Sequence, residues 1–175
     1  MGPWRSKAEW YIISKIMMKH ETAAGGIVYR ILQSHRQPAV QILKSVRWLI
    51  CQHSQHKGWV FPKGLVGDTQ EGESYEEAAL REVEEEGGVK AGIVQKIPGV
   101  FDYIYTFKSE RIKKTVHYFL MEYLSGDPKD HDWEMQDAKF ITEEEIRKLL
   151  TYPSERKAFD RAVKLYENRD LGMSS

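Results

Sequence analysis

One stretch, from Ser74 to Gly88, limits the folds open to this chain more than any other. Ser74 with Glu77 three residues later is the capping-box pattern that opens a helix. Tyr75, Ala78, Ala79 and Val83 then form a modest apolar stripe, and Gly87-Gly88 provides a left-handed stop, so the spacing predicts a helix ending at about Glu86. Within it Glu82, Glu85 and Glu86 stand at i, i+3 and i+4, which brings their carboxylates to one face. Like charges at that spacing cost a helix about 0.2–0.5 kcal/mol per pair unless something neutralises them. A hard divalent cation such as Mg²⁺ takes oxygen ligands of this kind. Arg81, one turn before Glu85, can bridge the carboxylates through its fork of N–H donors. Taken alone, an acidic run like this is usually a solvated face.

The rest of the chain supplies one α/β domain around that helix. Ala23 to Ile31 reads as a buried strand whose Gly25 and Gly26 allow close backbone approach. Gln33 to Pro38 is turn material, and Val40–Leu43 and Val46–Gln52 are strand-like. Trp59-Val60-Phe61 is a short strand stopped by Pro62, with a glycine-rich loop from Gly64 to Gly72. Strands follow near Ile93 and over Val100–Phe107, Thr115–Tyr123 and Ala138–Ile141. Thr142 with Glu145 is a second capping box, and Pro153 begins a last helix carrying Phe159, Ala162, Val163 and Tyr166 at helical spacing. The reading is an extension over 1–18, one domain over 19–170, and a frayed tail over 171–175.

Composition narrows the partners. Among 175 residues, Lys plus Arg and Asp plus Glu each number 26, so no global basic field exists to hold DNA. The one cysteine, Cys51, follows Trp48-Leu49-Ile50 and reads as an inert buried thiol. No apolar run approaches the roughly 18 residues of a membrane span. Ser14 and Lys15 break the N-terminal apolar run before it reaches signal-peptide length, so the expectation is a cytoplasmic protein.

Beyond the helix, Gly67, Glu73, Arg81-Glu82-Val83, Glu85-Glu86 and Gly88-Val89 match every position of the Nudix box, the signature of the Nudix hydrolases. The resemblance runs from about Thr22 to Tyr166. It implies an α/β/α sandwich with a mixed sheet, in which the box forms a loop–helix–loop. It also implies Mg²⁺- or Mn²⁺-dependent hydrolysis of a nucleoside diphosphate linked to another moiety. By similarity Glu82, Glu85 and Glu86 hold metal, one of them also able to serve as base, Glu73 is a weaker or outer ligand, and Arg81 orients the set. One departure stands out: Phe61-Pro62-Lys63-Gly64 normally leads straight into the box, and here Leu65-Val66-Gly67 intervene. The first box glycine is therefore Gly67 by spacing, with Gly64 as the structural alternative.

Within the family the chain resembles the dinucleoside polyphosphate hydrolases of the diadenosine tetraphosphate type. Trp59 to Gly64, Lys114 to Phe119, and Glu134 with Phe140 carry that likeness. It implies that Lys63, Gly64 and Lys114 meet phosphate, with both lysines exposed, and that Tyr118 lies near the nucleotide. Glu134 adds a ligand or a base. Tyr118 and Phe119 are strand neighbours, so one faces the cleft and the other the core. Trp59 and Phe61 read as core. His53, His56, His117 and His131 form no tight cluster and read as surface or strand residues. The alternatives are an RNA 5′-pyrophosphohydrolase, a nucleoside triphosphate sanitising enzyme, or an inert nucleotide-binding domain. The presence of all three glutamates argues against the inert domain, and the short tail argues against an attached DNA-binding module. Both monomer and dimer stay open.

Overall fold

The computed structural model describes residues 6–7, 18–34 and 43–172. The expected N-terminal extension lies almost wholly outside them, as do most of the turn before Pro38, the start of the strand at Val40, and residues 173–175.

Among the described residues, eight strands form one mixed sheet. β1 (Lys19–Ser34), β2 (Leu43–His53), β3 (Trp59–Val60), β5 (Val89–Lys96) and β7 (Glu110–Gly126) lie in the order β3-β2-β1-β7-β5. β4 (Lys63–Leu65) pairs with β1, β6 (Phe101–Phe107) with β7, and β8 (Met135–Ile141) with β2. The β1–β7 pairing is parallel, with Gly25 opposite Tyr118 and Gly26 opposite Phe119; the other pairings are antiparallel. Gly64 and Leu65, expected within the glycine-rich loop, belong instead to β4. The segment is a strand because β1 supplies the partner, Ala24 facing Gly64, and no local pattern announces so distant a pairing.

Helices cover both faces, as the resemblance implied. α1 (Tyr75–Gly87) buries Ala78, Ala79 and Val83 against Ala24, Val28, Phe119 and Met121. α2 (Glu143–Leu149) and α3 (Pro153–Asp170) close the other face, where Ile146, Phe159 and Val163 meet Ile27, Trp48 and Tyr118. Trp48 and Phe159 pack edge to face with centroids 5.2 Å apart. Each such fully buried large side chain contributes about 1.5–3 kcal/mol. Neighbours on β1 alternate between the two cores, as a two-residue period requires.

Two glycine sites set the position of α1. At Gly26 a Cβ would overlap Val83 and Met121, so its absence lets the helix sit close on the sheet. Gly88 adopts φ +67°, and its N–H donates to the Glu84 carbonyl at 3.1 Å, ending the helix as Gly87-Gly88 predicts. A side chain there would also collide with the Asp127 main chain. Both capping boxes form, Ser74 with Glu77 and Thr142 with Glu145.

Candidate active site

Helix periodicity alone puts Glu82, Glu85 and Glu86 together; packing gives them different surroundings. Glu82 and Glu86 are each 6% exposed, whereas the Glu85 side chain stays 46% exposed at the rim. Gly64 makes room for Glu82, since a Cβ at that position would overlap the carboxylate. Glu86 Oε2 accepts the Lys63 main-chain N–H at 2.7 Å. Burial pushes the Glu82 carboxyl up to about 7, against the pull of Arg81. Burial likewise pushes Glu86 up to about 8, against Lys63.

Arg81 ties the set together. Its Nε donates to Glu73 Oε1 at 2.8 Å, and Nη1 reaches Glu82 at 2.6 Å and Glu85 at 2.9 Å. Nη2 donates to Glu73 Oε2 and the Leu65 carbonyl, each at 3.1 Å, and to Asp68 at 3.3 Å. The Arg81 fork holds the Glu73 carboxyl below its ordinary value despite partial burial. Glu73 also accepts the Gly67 N–H at 3.1 Å, and Gly67 sits at φ +78°. The two glycines therefore have separate tasks. Gly67 makes the turn that binds Glu73, and Gly64 gives Glu82 its space.

Gly64, Arg81, Glu82, Glu85 and Glu86 line a cleft of about 660 Å³, with Lys114 and Glu134 on its walls. The Glu134 carboxyl is raised by burial and by Asp132 and Glu85. Lys114 is not the solvated lysine expected. Its side chain is 18% exposed, and Nζ lies 3.5 Å from Glu21. Burial lowers its pKa, with Glu21 opposing.

Two further expectations need correction. Tyr118 does not reach the cleft: it is 1% exposed in the core beneath α3, and its hydroxyl donates to Glu155 at 3.1 Å. Phe119 is buried in the opposite core, so alternation separates the pair between two interiors rather than between core and cleft. Lys63 lies at the cleft, yet its side chain is only 13% exposed and its Nζ meets Glu155 at 3.0 Å. Burial works against its charge, but Glu155, joined by Tyr103 and Glu86, outweighs it and holds the pKa above the ordinary lysine value.

Other residues at the cleft were not singled out, or were assigned elsewhere. Glu155, Tyr103, Tyr105 and Tyr152 line it. Tyr103 and Tyr105 alternate along β6, a two-residue period that was the available signal. His53 and His56, read as surface histidines, stack at 4.1 Å on the cleft wall, where burial lowers both pKa values. His117 instead stacks on Tyr75 at 4.1 Å. Phe61 is core, as expected, whereas Trp59 is only half-buried at the edge of that core. Cys51 is buried with its thiol pushed well up by burial, matching the inert reading.

Among the described residues, no three His, Cys, Asp or Glu side chains form a ready-made metal cluster as they stand. The donor chemistry nevertheless fits a hard cation. Glu82 and Glu86 are buried oxygen donors whose ionisation burial opposes, and positive charge placed between them offsets that penalty. No helix among the described residues is long and apolar enough to cross a membrane.

The model for the NUDIX domain matches residues 35–162, and the chain belongs to that family. It is 31% identical over 151 residues to a protein of Mycobacterium tuberculosis named as mutator protein MutT4. That alignment takes in 85% of this chain and 56% of the relative, so the chain spans little more than half the relative's length. A diadenosine tetraphosphate (Ap4A) hydrolase of C. elegans, solved as a binary complex, shares the fold with TM-score 0.64 at 24% identity, over 85% of this chain and 98% of that one. The NUDIX domain of Shewanella oneidensis NrtR, solved with ADP-ribose, does so with TM-score 0.61 at 16% identity, over 93% and 99%.

Proposed function

We propose that this chain is a pyrophosphohydrolase acting on a nucleoside diphosphate linked to another group, with Mg²⁺ or Mn²⁺ held by Glu82, Glu85 and Glu86. The observation that carries the reading is the pair of buried carboxylates, Glu82 and Glu86, facing a cleft beside the Arg81 fork. The cation supplies the positive charge that a pyrophosphate and its leaving phosphate require. Arg81 keeps Glu73, Glu82 and Glu85 in fixed geometry, with Glu73 as the outer member. Glu134, whose carboxyl burial and its acidic neighbours raise, takes the proton from the water that attacks phosphorus. Lys114 faces the polyphosphate chain.

The substrate class we favour is dinucleoside polyphosphates such as diadenosine tetraphosphate, cleaved to ATP and AMP. The segments Trp59 to Gly64 and Lys114 to Phe119 support this, with Tyr118, buried in the core, taken out of the nucleotide site. Space supports it too: Leu65, Tyr105 and Lys114 are shared between the cleft and an adjoining pocket of about 390 Å³, giving room for a long polyphosphate. The identity to a protein named as a mutator protein adds nucleoside triphosphates as a second reading. We place the activity in one domain over 19–170 of a cytoplasmic protein.

The test is product analysis by mass spectrometry on a panel of dinucleoside polyphosphates, nucleoside triphosphates and 5′-triphosphorylated RNA in ¹⁸O-water. Turnover is expected to vanish in excess EDTA and return with Mg²⁺ or Mn²⁺. Diadenosine tetraphosphate is expected to give ATP plus AMP. Undiminished turnover in EDTA removes the metal role, two ADP molecules exclude the asymmetric cleavage, and no turnover of any dinucleoside polyphosphate excludes the favoured class.

A further inference from the structure

Behind the carboxylates lies a charged residue outside the family box. Glu155 stands in the first turn of α3 and is 2% exposed. Its Oε1 accepts from Lys63 Nζ at 3.0 Å and from the Tyr118 hydroxyl at 3.1 Å. Its Oε2 is buried with no hydrogen-bond partner among the described residues. Lys63 thus touches the site twice: its main-chain N–H holds Glu86, and its side chain reaches Glu155.

A purely structural role explains this poorly. Buried ion pairs add little net stability once desolvation is counted, and apolar side chains of similar volume serve as well. The unpartnered Oε2 adds a further cost. The charge matters more when the alternatives open to Lys63 are considered. Its ammonium rides on a flexible four-carbon stem and lines the same cleft as Glu82 and Glu86. Without Glu155, Glu86, which already accepts the Lys63 main-chain N–H and whose charge acts on the ammonium, is the buried carboxylate left beside it, with Glu82 one helical turn away. A lysine paired with them competes with any divalent cation.

We propose that Glu155 is a positioning residue that holds the Lys63 ammonium away from Glu82 and Glu86, so that these carboxylates are left to a divalent cation. The proposal rests on the metal-site reading given above.

Mn²⁺ titration of the full chain, read by electron paramagnetic resonance of free Mn²⁺, tests it without turnover. Glu155→Gln preserves size and hydrogen bonding but removes the charge. It is expected to weaken Mn²⁺ binding by about 10- to 100-fold, the scale seen when a group behind a metal ligand is lost. Adding Lys63→Met removes the competing ammonium and is expected to restore affinity to within about three-fold of the parent, a coupling that a double-mutant cycle isolates. Equal affinity in Glu155→Gln and parent overturns the proposal, as does a double variant no better than the single one. A parent that binds no Mn²⁺ overturns the metal-site reading, and the proposal with it. If Glu155→Gln does not fold, Glu155→Asp decides: it keeps the charge but withdraws it, and a smaller loss that Lys63→Met reverses is expected. An unchanged affinity there refutes the proposal.

Discussion

Arg81 and Lys63 both bring positive charge to the carboxylates of the cleft, and the fold uses them in opposite ways. Arg81 is shared among Glu73, Glu82, Glu85 and Asp68 at distances of 2.6–3.3 Å. The Lys63 ammonium pairs with a single carboxylate, Glu155, at 3.0 Å, with the Phe61 carbonyl at 3.5 Å, and is almost out of solvent. A planar guanidinium can bridge several acceptors at once, whereas an ammonium acts as a compact point charge. The Arg81 network therefore remains negative, and the Lys63 pair is balanced. The difference teaches where a further cation is drawn: to the wall lined by α1, and not to the base of α3.

The largest effect in breaking this contrast is expected from Glu86→Gln. As a metal ligand its loss costs on the order of 10²-fold or more in turnover. In metal-free protein the stability change has the opposite sign. A carboxyl raised to about 8 in the fold costs stability that grows as pH rises from its ordinary 4.5 toward that value. The variant is therefore expected to melt at or above the parent at pH 8, with the gap closing toward pH 4.5. A variant that keeps half its kcat would remove Glu86 from the site.

Arg81→Lys sharpens the comparison by turning the shared cation into the singly paired kind. One ammonium cannot hold Glu73, Glu82 and Glu85 together, and a loss of roughly ten-fold in turnover with a lower Tm is expected. Unchanged kinetics would show that charge alone, without the fork, organises the carboxylates.

The smallest effect tests the helix that carries the network. Ser74 donates its N–H and hydroxyl to Glu77 and holds that carboxyl below its ordinary value. A depressed carboxyl contributes stability above about pH 4.5 that disappears as pH falls through its lowered value. Ser74→Ala is expected to lower Tm by about 2–4 °C at pH 7, and by less below pH 4. Thermal scans across pH check this, and a gap independent of pH would show that the Ser74 hydroxyl's bond to Glu77 contributes nothing, the Ser74 N–H bond being kept in the variant.

Much of the candidate site is legible in the sequence. The caps at Ser74 and Thr142, the stop at Gly88 and the common face of Glu82, Glu85 and Glu86 all follow from contacts within about one helical turn. Such contacts recur wherever the pattern recurs. What the sequence by itself determined is thus the helix, its ends and its acidic face, together with the family box around it. The tertiary structure alone decided which carboxylates are buried, that Lys63–Leu65 is a strand on β1, and that β1 and β7 run parallel. It also turned Tyr118 inward and joined Lys63 to Glu155 from the far end of the chain. The physical reason lies in the two kinds of period. A two-residue alternation says that neighbours face opposite ways but not which way is the cleft, and an ion pair between distant residues leaves no trace in the spacing of either. Lys63 reads as a phosphate contact in sequence and becomes a partner of Glu155 only when α3 folds down over the sheet.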